Sequence, residues 1–286
     1  MHELKRVLVV GAGTMGSQIA LQTALSGRYE VILVDSVAGQ LERARAQNKR
    51  LLDRAVEKSR LTEAAAAAAL GRIDHSSDLG DAAGSADLII EAVIEDFEAK
   101  KDVFETLGKH AKKDAILASN SSTIAISRLA DFTSRPAQCC NMHFFHPVTV
   151  MQLCEVVRGP KTSDETIATA MDFVRSIERT PVLLQKEIWG FIVNRILFAA
   201  SEEAMHLLEG GYASAEDIDI AVQKGLNWPM GPFHLLDFSG LDIFYGAMKD
   251  RHRQGEGKDA PELLRKLVEA GELGKKTGKG FFEYPK

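Results

Sequence analysis

At 286 residues, with 45% hydrophobic and 26% charged side chains, the chain is long enough to fold around one large core or two. Its net charge of −5 gives no electrostatic reason to expect nucleic acid or an acidic membrane surface as a partner. The three cysteines, Cys139, Cys140 and Cys154, form neither an even disulfide set nor a metal-ligand spacing, so no metal is expected and a reducing, cytoplasmic setting suits them. No apolar run approaches the roughly 18 residues that span a bilayer. Met1 to Lys5 leads straight into a strand without a signal peptide's apolar stretch, so the N-terminus is expected to be mature and intracellular.

In chain order, Val7 to Val10 reads as a strand, Ser17 to Ser26 as a helix, Val31 to Val34 as a strand and Leu41 to Lys58 as a charged amphipathic helix. This β-α-β-α alternation is the pattern of a parallel sheet. Thr62-Glu63 and the six alanines after them predict a short helix stopped at Gly71. Further strands are expected at Leu88 to Ala92, Ala115 to Ala118, Gln138 to His143 and Leu153 to Val157, with helices at Lys100 to His110 and Thr166 to Ile177. The sheet should continue to about residue 185. Beyond Ile188 helical patterns take over, at Phe191 to Glu209, Ala215 to Lys224 and Glu262 to Ala270.

The expected fold class is therefore α/β. A doubly wound, mostly parallel Rossmann domain over residues 1–185 is followed by an all-helical C-terminal domain over residues 186–286. Phe191, Ile192, Ile196 and Leu197, with few charges before Glu202, predict that the first C-terminal helix is buried on more than one face, at a domain centre or a dimer contact.

Gly11-Ala12-Gly13-Thr14-Met15-Gly16 places G-x-G-x-x-G directly after an apolar strand and before a helix. Gly11 permits the tight turn, Gly13 lets a pyrophosphate approach the backbone, and Gly16 lets helix and strand pack closely. The helix N-terminus offers free N–H groups to the phosphates. Glycine-rich turns also serve purely structural bends, and Asp35 alone would read as a solvated strand end. Together, with Asp35 closing the second strand 19 residues after Gly16, they point to a dinucleotide whose ribose hydroxyls meet the carboxylate. Asp35 would repel a 2′-phosphate, which favours NAD over NADP.

Asn141-Met142-His143-Phe144-Phe145-His146-Pro147 ends a predicted strand where open α/β sheets place their ligand crevice. Twelve residues after His143, Glu155 interrupts an apolar run, and a carboxylate there is costly unless paired. Two readings stand. A hairpin-like return brings Glu155 beside His143, fixing its tautomer for general-base work on an alcohol, or Glu155 faces solvent on an edge strand and His143 is a core histidine. Ser122, in the polar cluster Ser119 to Thr123, reads as a helix-cap residue or a ligand for a substrate oxygen. Asn194 is the odd polar group in a helix expected to be buried, and a buried Asn needs partners.

The chain resembles the L-3-hydroxyacyl-CoA dehydrogenases of the bacterial 3-hydroxybutyryl-CoA type over nearly its whole length. The motifs are Gly11 to Gly16, Glu91 to Glu95 with Lys100, Ser119 to Ser122, His143-Phe144-Phe145 with Pro147-Val148, Gly190 to Arg195, Pro229 to Pro232, and Gly274 to Gly278. The resemblance implies NAD-dependent oxidation of a 3-hydroxyacyl-CoA, with His143 and Glu155 as catalytic dyad and Ser122 and Asn194 binding the 3-oxygen. It also implies that Glu95, Lys100 and Lys276 lie along the NAD path, that Ser122 touches the nicotinamide, that His146 takes the place of a cofactor-contacting Asn, and that the protein is a homodimer through its C-terminal domain. Read without the resemblance, Glu95 and Lys100 are a charged pair on a helix surface, and Lys276 is a solvated loop lysine.

Arg43, Arg45, Lys49, Arg50, Arg54 and Lys58 supply basic groups for the nucleotide end of an acyl-CoA, or simply a solvated helix face; Lys58 resembles a CoA-contact position. The chain departs from the family pattern at His146, where Asn is usual, at Trp189, where Pro is usual, and at Leu197-Phe198-Ala199, where Leu-x-Pro is usual. Two alternatives share the fold. One is a dehydrogenase of a non-CoA hydroxy acid, of the carnitine or L-gulonate type; the other is a non-enzymatic dinucleotide binder, as lens lambda-crystallin is.

Overall fold

The computed structural model describes residues 4–285. Its first part alternates β1 (Arg6–Val10), α1 (Thr14–Leu25), β2 (Glu30–Val34), α2 (Ala38–Glu57), α3 (Glu63–Gly71), β3 (Ile73–Ser76), α4 (Leu79–Ser85), β4 (Leu88–Glu91), α5 (Phe97–His110), β5 (Ile116–Ser119), α6 (Ser127–Ala130), β6 (Cys139–Phe144), β7 (Leu153–Arg158), α7 (Asp164–Ser176) and β8 (Thr180–Leu184). The strands form one sheet in the order β3-β2-β1-β4-β5-β6-β7-β8. The first six pair in parallel; β7 runs antiparallel to β6, and β8 parallel to β7. The α/β, doubly wound expectation describes this architecture.

Period-two alternation along the strands builds two cores. In β1, Val7 and Val9 enter the core shared with Ile19, Leu21 and Phe173, while Leu8 and Val10 enter the one shared with Phe104 and Leu107. With both faces covered, the central strands read as apolar runs and were legible. Among the elements that escaped that pattern are two edge strands and a short helix. β3 is the polar Ile73-Asp74-His75-Ser76 on an edge, α4 is seven residues long, and β8 carries Pro181 on the other edge.

The chain separates into two compact units, Met1–Phe191 and Ile192–Lys286, a little beyond the expected boundary at 185/186. The second is helical: α8 (Val193–Glu209), α9 (Ala215–Leu226), α10 (Pro232–Ser239), α11 (Leu241–Arg253) and α12 (Glu262–Glu269).

The helix expected from Phe191 begins instead at Val193, because Gly190 and Phe191 both adopt left-handed backbone, φ +71° and +51°. Nor is α8 buried on more than one face. Phe198, Ser201, Ala204 and Met205 form one buried stripe, whereas Ile196, on the other side, is 58% exposed. Asn194 is only half-buried, so burial gives no argument for its role. Asp237 closes this unit's C-terminal segment, its carboxylate accepting the Phe281 and Phe282 N–H groups, each at 2.9 Å, and the Tyr284 hydroxyl at 3.0 Å.

Candidate active site

The glycine fingerprint forms a turn between β1 and α1 in which two glycines are sterically required. Gly11 has φ +103°, and a Cβ there would lie 2.6 Å from the Ala92 carbonyl oxygen. A Cβ on Gly16 would lie 1.8 Å from the Gly11 carbonyl oxygen. Gly13 differs: a Cβ there meets nothing within 4 Å, so its hydrogen leaves open space above the backbone. Gly13 also caps α1 without any side-chain acceptor, and no acidic residue occupies the first turn. Free N–H groups and the positive end of the helix dipole are thereby left for an anion.

Ala12, exposed Thr14 and core-packed Met15 complete the turn. Asp35, just past β2, accepts the Ala12 N–H at 2.8 Å through Oδ2 and the Val37 N–H at 2.9 Å through Oδ1. Its carboxylate is thus fixed at the wall of a cleft of about 530 Å³ lined also by Gly11, Gly13, Val37, Ala92 and Ile94. The residues fit a dinucleotide: a glycine cradle for the pyrophosphate and an oriented carboxylate for a ribose.

At the ends of β4 and β5 lies a polar network that the sequence reading did not assign. Glu91, fully buried, accepts the Lys100 ammonium at 2.7 Å, the Val93 N–H at 2.8 Å and the hydroxyl of its register partner Ser119 at 2.6 Å. Lys100 is 1% exposed and also meets Glu95 at 3.2 Å. The expected surface pair of Glu95 and Lys100 is therefore corrected: the lysine is in the interior because Glu91 below it supplies the compensating charge. A carboxylate closing an apolar strand, Leu88-Ile89-Ile90-Glu91, with a lysine nine residues on, was the available signal.

Glu95 anchors the turn after β5. Its Oε1 accepts the Ser121 hydroxyl at 2.5 Å, the Ser122 N–H at 3.0 Å and the Thr123 N–H and hydroxyl at 3.1 and 3.0 Å. Partial burial raises its pKa, but Lys100 and the Ser121 and Thr123 hydroxyls outweigh it and hold the group below the ordinary glutamate value. Ser122, half-buried, is presented by this turn. Asn120 Oδ1 then accepts the Phe144 N–H at 2.9 Å, tying the turn to the residue after His143.

β6 and β7 pair with His143 directly opposite Glu155. The ring Nδ1 lies 2.8 Å from Glu155 Oε2; the carboxylate is fully buried and His143 is 6% exposed. A carboxylate only accepts, so Nδ1 carries the proton and Nε2 is left with its lone pair. Phe145 and Phe191 flank the ring, centroids at 4.5 and 5.6 Å. Of the two readings of these residues, the paired one describes the geometry.

The other residues singled out in the sequence lie in other surroundings. His146 is exposed after β6, its Nε2 3.4 Å from the Gln18 amide nitrogen. Lys58 is an exposed C-cap of α2, and Lys49 on that helix pairs with Asp53 at 2.7 Å. In the second unit, Lys276 is paired with Asp242 at 2.5 Å rather than merely solvated, and Asn194 lies in the first turn of α8.

The chain matches "3-hydroxyacyl-CoA dehydrogenase, NAD binding domain" over residues 6–188 and "3-hydroxyacyl-CoA dehydrogenase, C-terminal domain" over residues 190–284. It is 42% identical to a probable 3-hydroxybutyryl-CoA dehydrogenase of Deinococcus radiodurans over 278 residues, 96% of this chain and 99% of that one. It is 40% identical to a 3-hydroxybutyryl-CoA dehydrogenase of Clostridioides difficile, covering 98% and 100%. The crystal structure of (S)-3-hydroxybutyryl-CoA dehydrogenase from Ralstonia eutropha superposes with a TM-score of 0.93 at 38% identity, over 99% of this chain and 100% of that one. With both halves of the chain matched and relatives of this identity aligned end to end, the chain belongs to the 3-hydroxyacyl-CoA dehydrogenase family.

Proposed function

We propose that the chain catalyses the reversible, NAD-dependent oxidation of an L-3-hydroxyacyl-CoA to the 3-ketoacyl-CoA, with short acyl chains such as 3-hydroxybutyryl as its substrates. The observation that carries the mechanism is the 2.8 Å contact between His143 Nδ1 and the buried Glu155 carboxylate. Nε2 takes the proton of the substrate hydroxyl, and Glu155 stabilises the imidazolium that forms. NAD, when bound, supplies the two-electron acceptor. Ser122, held by Glu95, and Asn194, from α8, donate to the 3-oxygen as its charge changes.

Gly11 to Gly16 and Asp35 hold the dinucleotide, with Glu95, Lys100, Ser122, His146 and Lys276 along its path. Because Lys100 is buried against Glu91, it acts by holding Glu95. Lys58 serves the nucleotide end of the CoA. The N-terminal domain is the NAD-binding part.

The helical domain is the dimer contact. Exposed Ile196, Leu226, Phe238 and Ile243 support this reading, since a second copy would cover them. Three buried, unbridged cysteines suit a reducing cytoplasm, and burial pushes the Cys139 thiol up to about 11, where it is inert. Among the described residues no helix is long and apolar enough to cross a membrane.

NADH oxidation measured with acetoacetyl-CoA, free acetoacetate and 3-dehydrocarnitine tests the substrate. Turnover should require the CoA thioester, and equal turnover of either free acid would overturn the reading. Light scattering should give twice the chain mass; a monomer at micromolar concentration would refute the dimer.

A further inference from the structure

Gln18 is 2% exposed on α1, two residues past the last fingerprint glycine. Its Oε1 accepts the Val148 N–H at 2.8 Å. That bond orients the amide, because a backbone N–H can only donate and so must face the oxygen. The NH2 end is thereby turned toward the His146 ring, 3.4 Å from its Nε2. An amide NH2 can only donate as well, so Nε2 must be the acceptor, and a neutral ring whose Nε2 accepts carries its proton on Nδ1.

We propose that Gln18 is a positioning residue that holds His146 as the Nδ1–H tautomer, so that the exposed ring presents a hydrogen-bond donor to an acceptor oxygen of the bound dinucleotide. Gln18 spans the two segments that meet at the crevice, the helix that follows the glycine turn and the loop that follows β6. Rotating its amide to reverse the ring would set NH2 against the Val148 N–H, donor against donor, and leave a buried N–H without an acceptor. One amide therefore sets the loop and the polarity of the ring together. The inference rests on the reading that His146 faces the cofactor.

The decisive measurement is the 15N spectrum of histidine-labelled protein above neutral pH, with His146→Asn identifying the ring. The wild type should show a protonated Nδ1 and an accepting, pyridine-like Nε2. Protonation at Nε2, or exchange between the two forms, overturns the proposal, and this outcome needs no Gln18 variant to fold.

A double-mutant cycle reads the function. Gln18→Met should raise KM for NAD roughly five- to ten-fold, the loss of one neutral hydrogen bond, with kcat little changed. In a His146→Asn background the amide donates without a tautomer to be set, so the same substitution should cost less than about two-fold. An equal cost in both backgrounds would mean that Gln18 acts only through loop packing, and would overturn the proposal. Unchanged KM for NAD in Gln18→Met and in His146→Phe would overturn it by removing His146 from the cofactor site. NAD-dependent turnover through His143 would stand in either case, so failure here is distinguishable from failure of the proposed function.

Discussion

His143 and Glu155 are direct partners in the antiparallel register of β6 and β7, with Nδ1 and Oε2 2.8 Å apart. Strand pairing itself delivers the carboxylate to the ring, since opposed residues of a ladder share a face with their Cβ atoms about 5 Å apart. No loop has to be ordered to form the pair.

Glu155→Gln tests what that contact does. The amide can turn its NH2 toward Nδ1, which drives the ring proton to Nε2 and removes the base. We expect kcat to fall by roughly 10²- to 10⁴-fold, the usual range for a lost general base, with KM for the acyl-CoA within a few-fold. NADH absorbance gives the rate; turnover near that of the wild type would show that the pair is structural.

Two glycine substitutions should separate folding from binding. Gly16→Ala places a Cβ 1.8 Å from a backbone oxygen, and backbone cannot step aside cheaply, so thermal melting should reveal a loss of about 1–3 kcal/mol. Gly13→Ala points its methyl into open space, so stability should hold while KM for NAD rises at least about tenfold, or ~1.4 kcal/mol. Equal melting temperatures for the two variants would contradict this division.

Lys100→Met strands the buried Glu91 carboxylate. Removing one partner of a buried ion pair costs about 3–5 kcal/mol, which urea denaturation should show. The double variant Glu91→Leu with Lys100→Met should recover part of that loss. Recovery stays partial because the Val93 N–H and the Ser119 hydroxyl lose their acceptor. A surface lysine would give a change below about 1 kcal/mol.

Glu95 gives the pH signature. Its folded pKa is depressed below the ordinary value of 4.5, so its contribution is fully present above that value and is lost as pH falls through the lower folded value. The melting-temperature difference between wild type and Glu95→Gln should be constant from about pH 6 to 8 and shrink below 4.5. A difference that grows on acidification would mean that Lys100 and the Ser121 and Thr123 hydroxyls do not hold the charged form.

What the chain determines locally was legible in it. A glycine fingerprint depends on atoms a few residues apart, and apolar runs between helical periods announce a parallel sheet, so the cofactor turn, Asp35 and the order of the main elements could be read directly. The family motifs added His143 and Glu155 as a pair, where spacing alone left them open. Elements without a pattern stayed hidden: the polar edge strand Ile73–Ser76, the proline-bearing edge strand Thr180–Leu184, and the left-handed turn at Phe191 that delays α8.

Only the tertiary structure decided which polar groups meet. Glu91 finds Lys100 and Ser119 because β4 and β5 are neighbours and α5 packs Phe104 and Leu107 into the core beside Ile89 and Leu117, and Gln18 finds His146 and Val148 across about 130 residues of chain. Such contacts are fixed by sheet order and register, which arise from burying both apolar faces of the whole sheet at once. No local window of sequence contains that constraint.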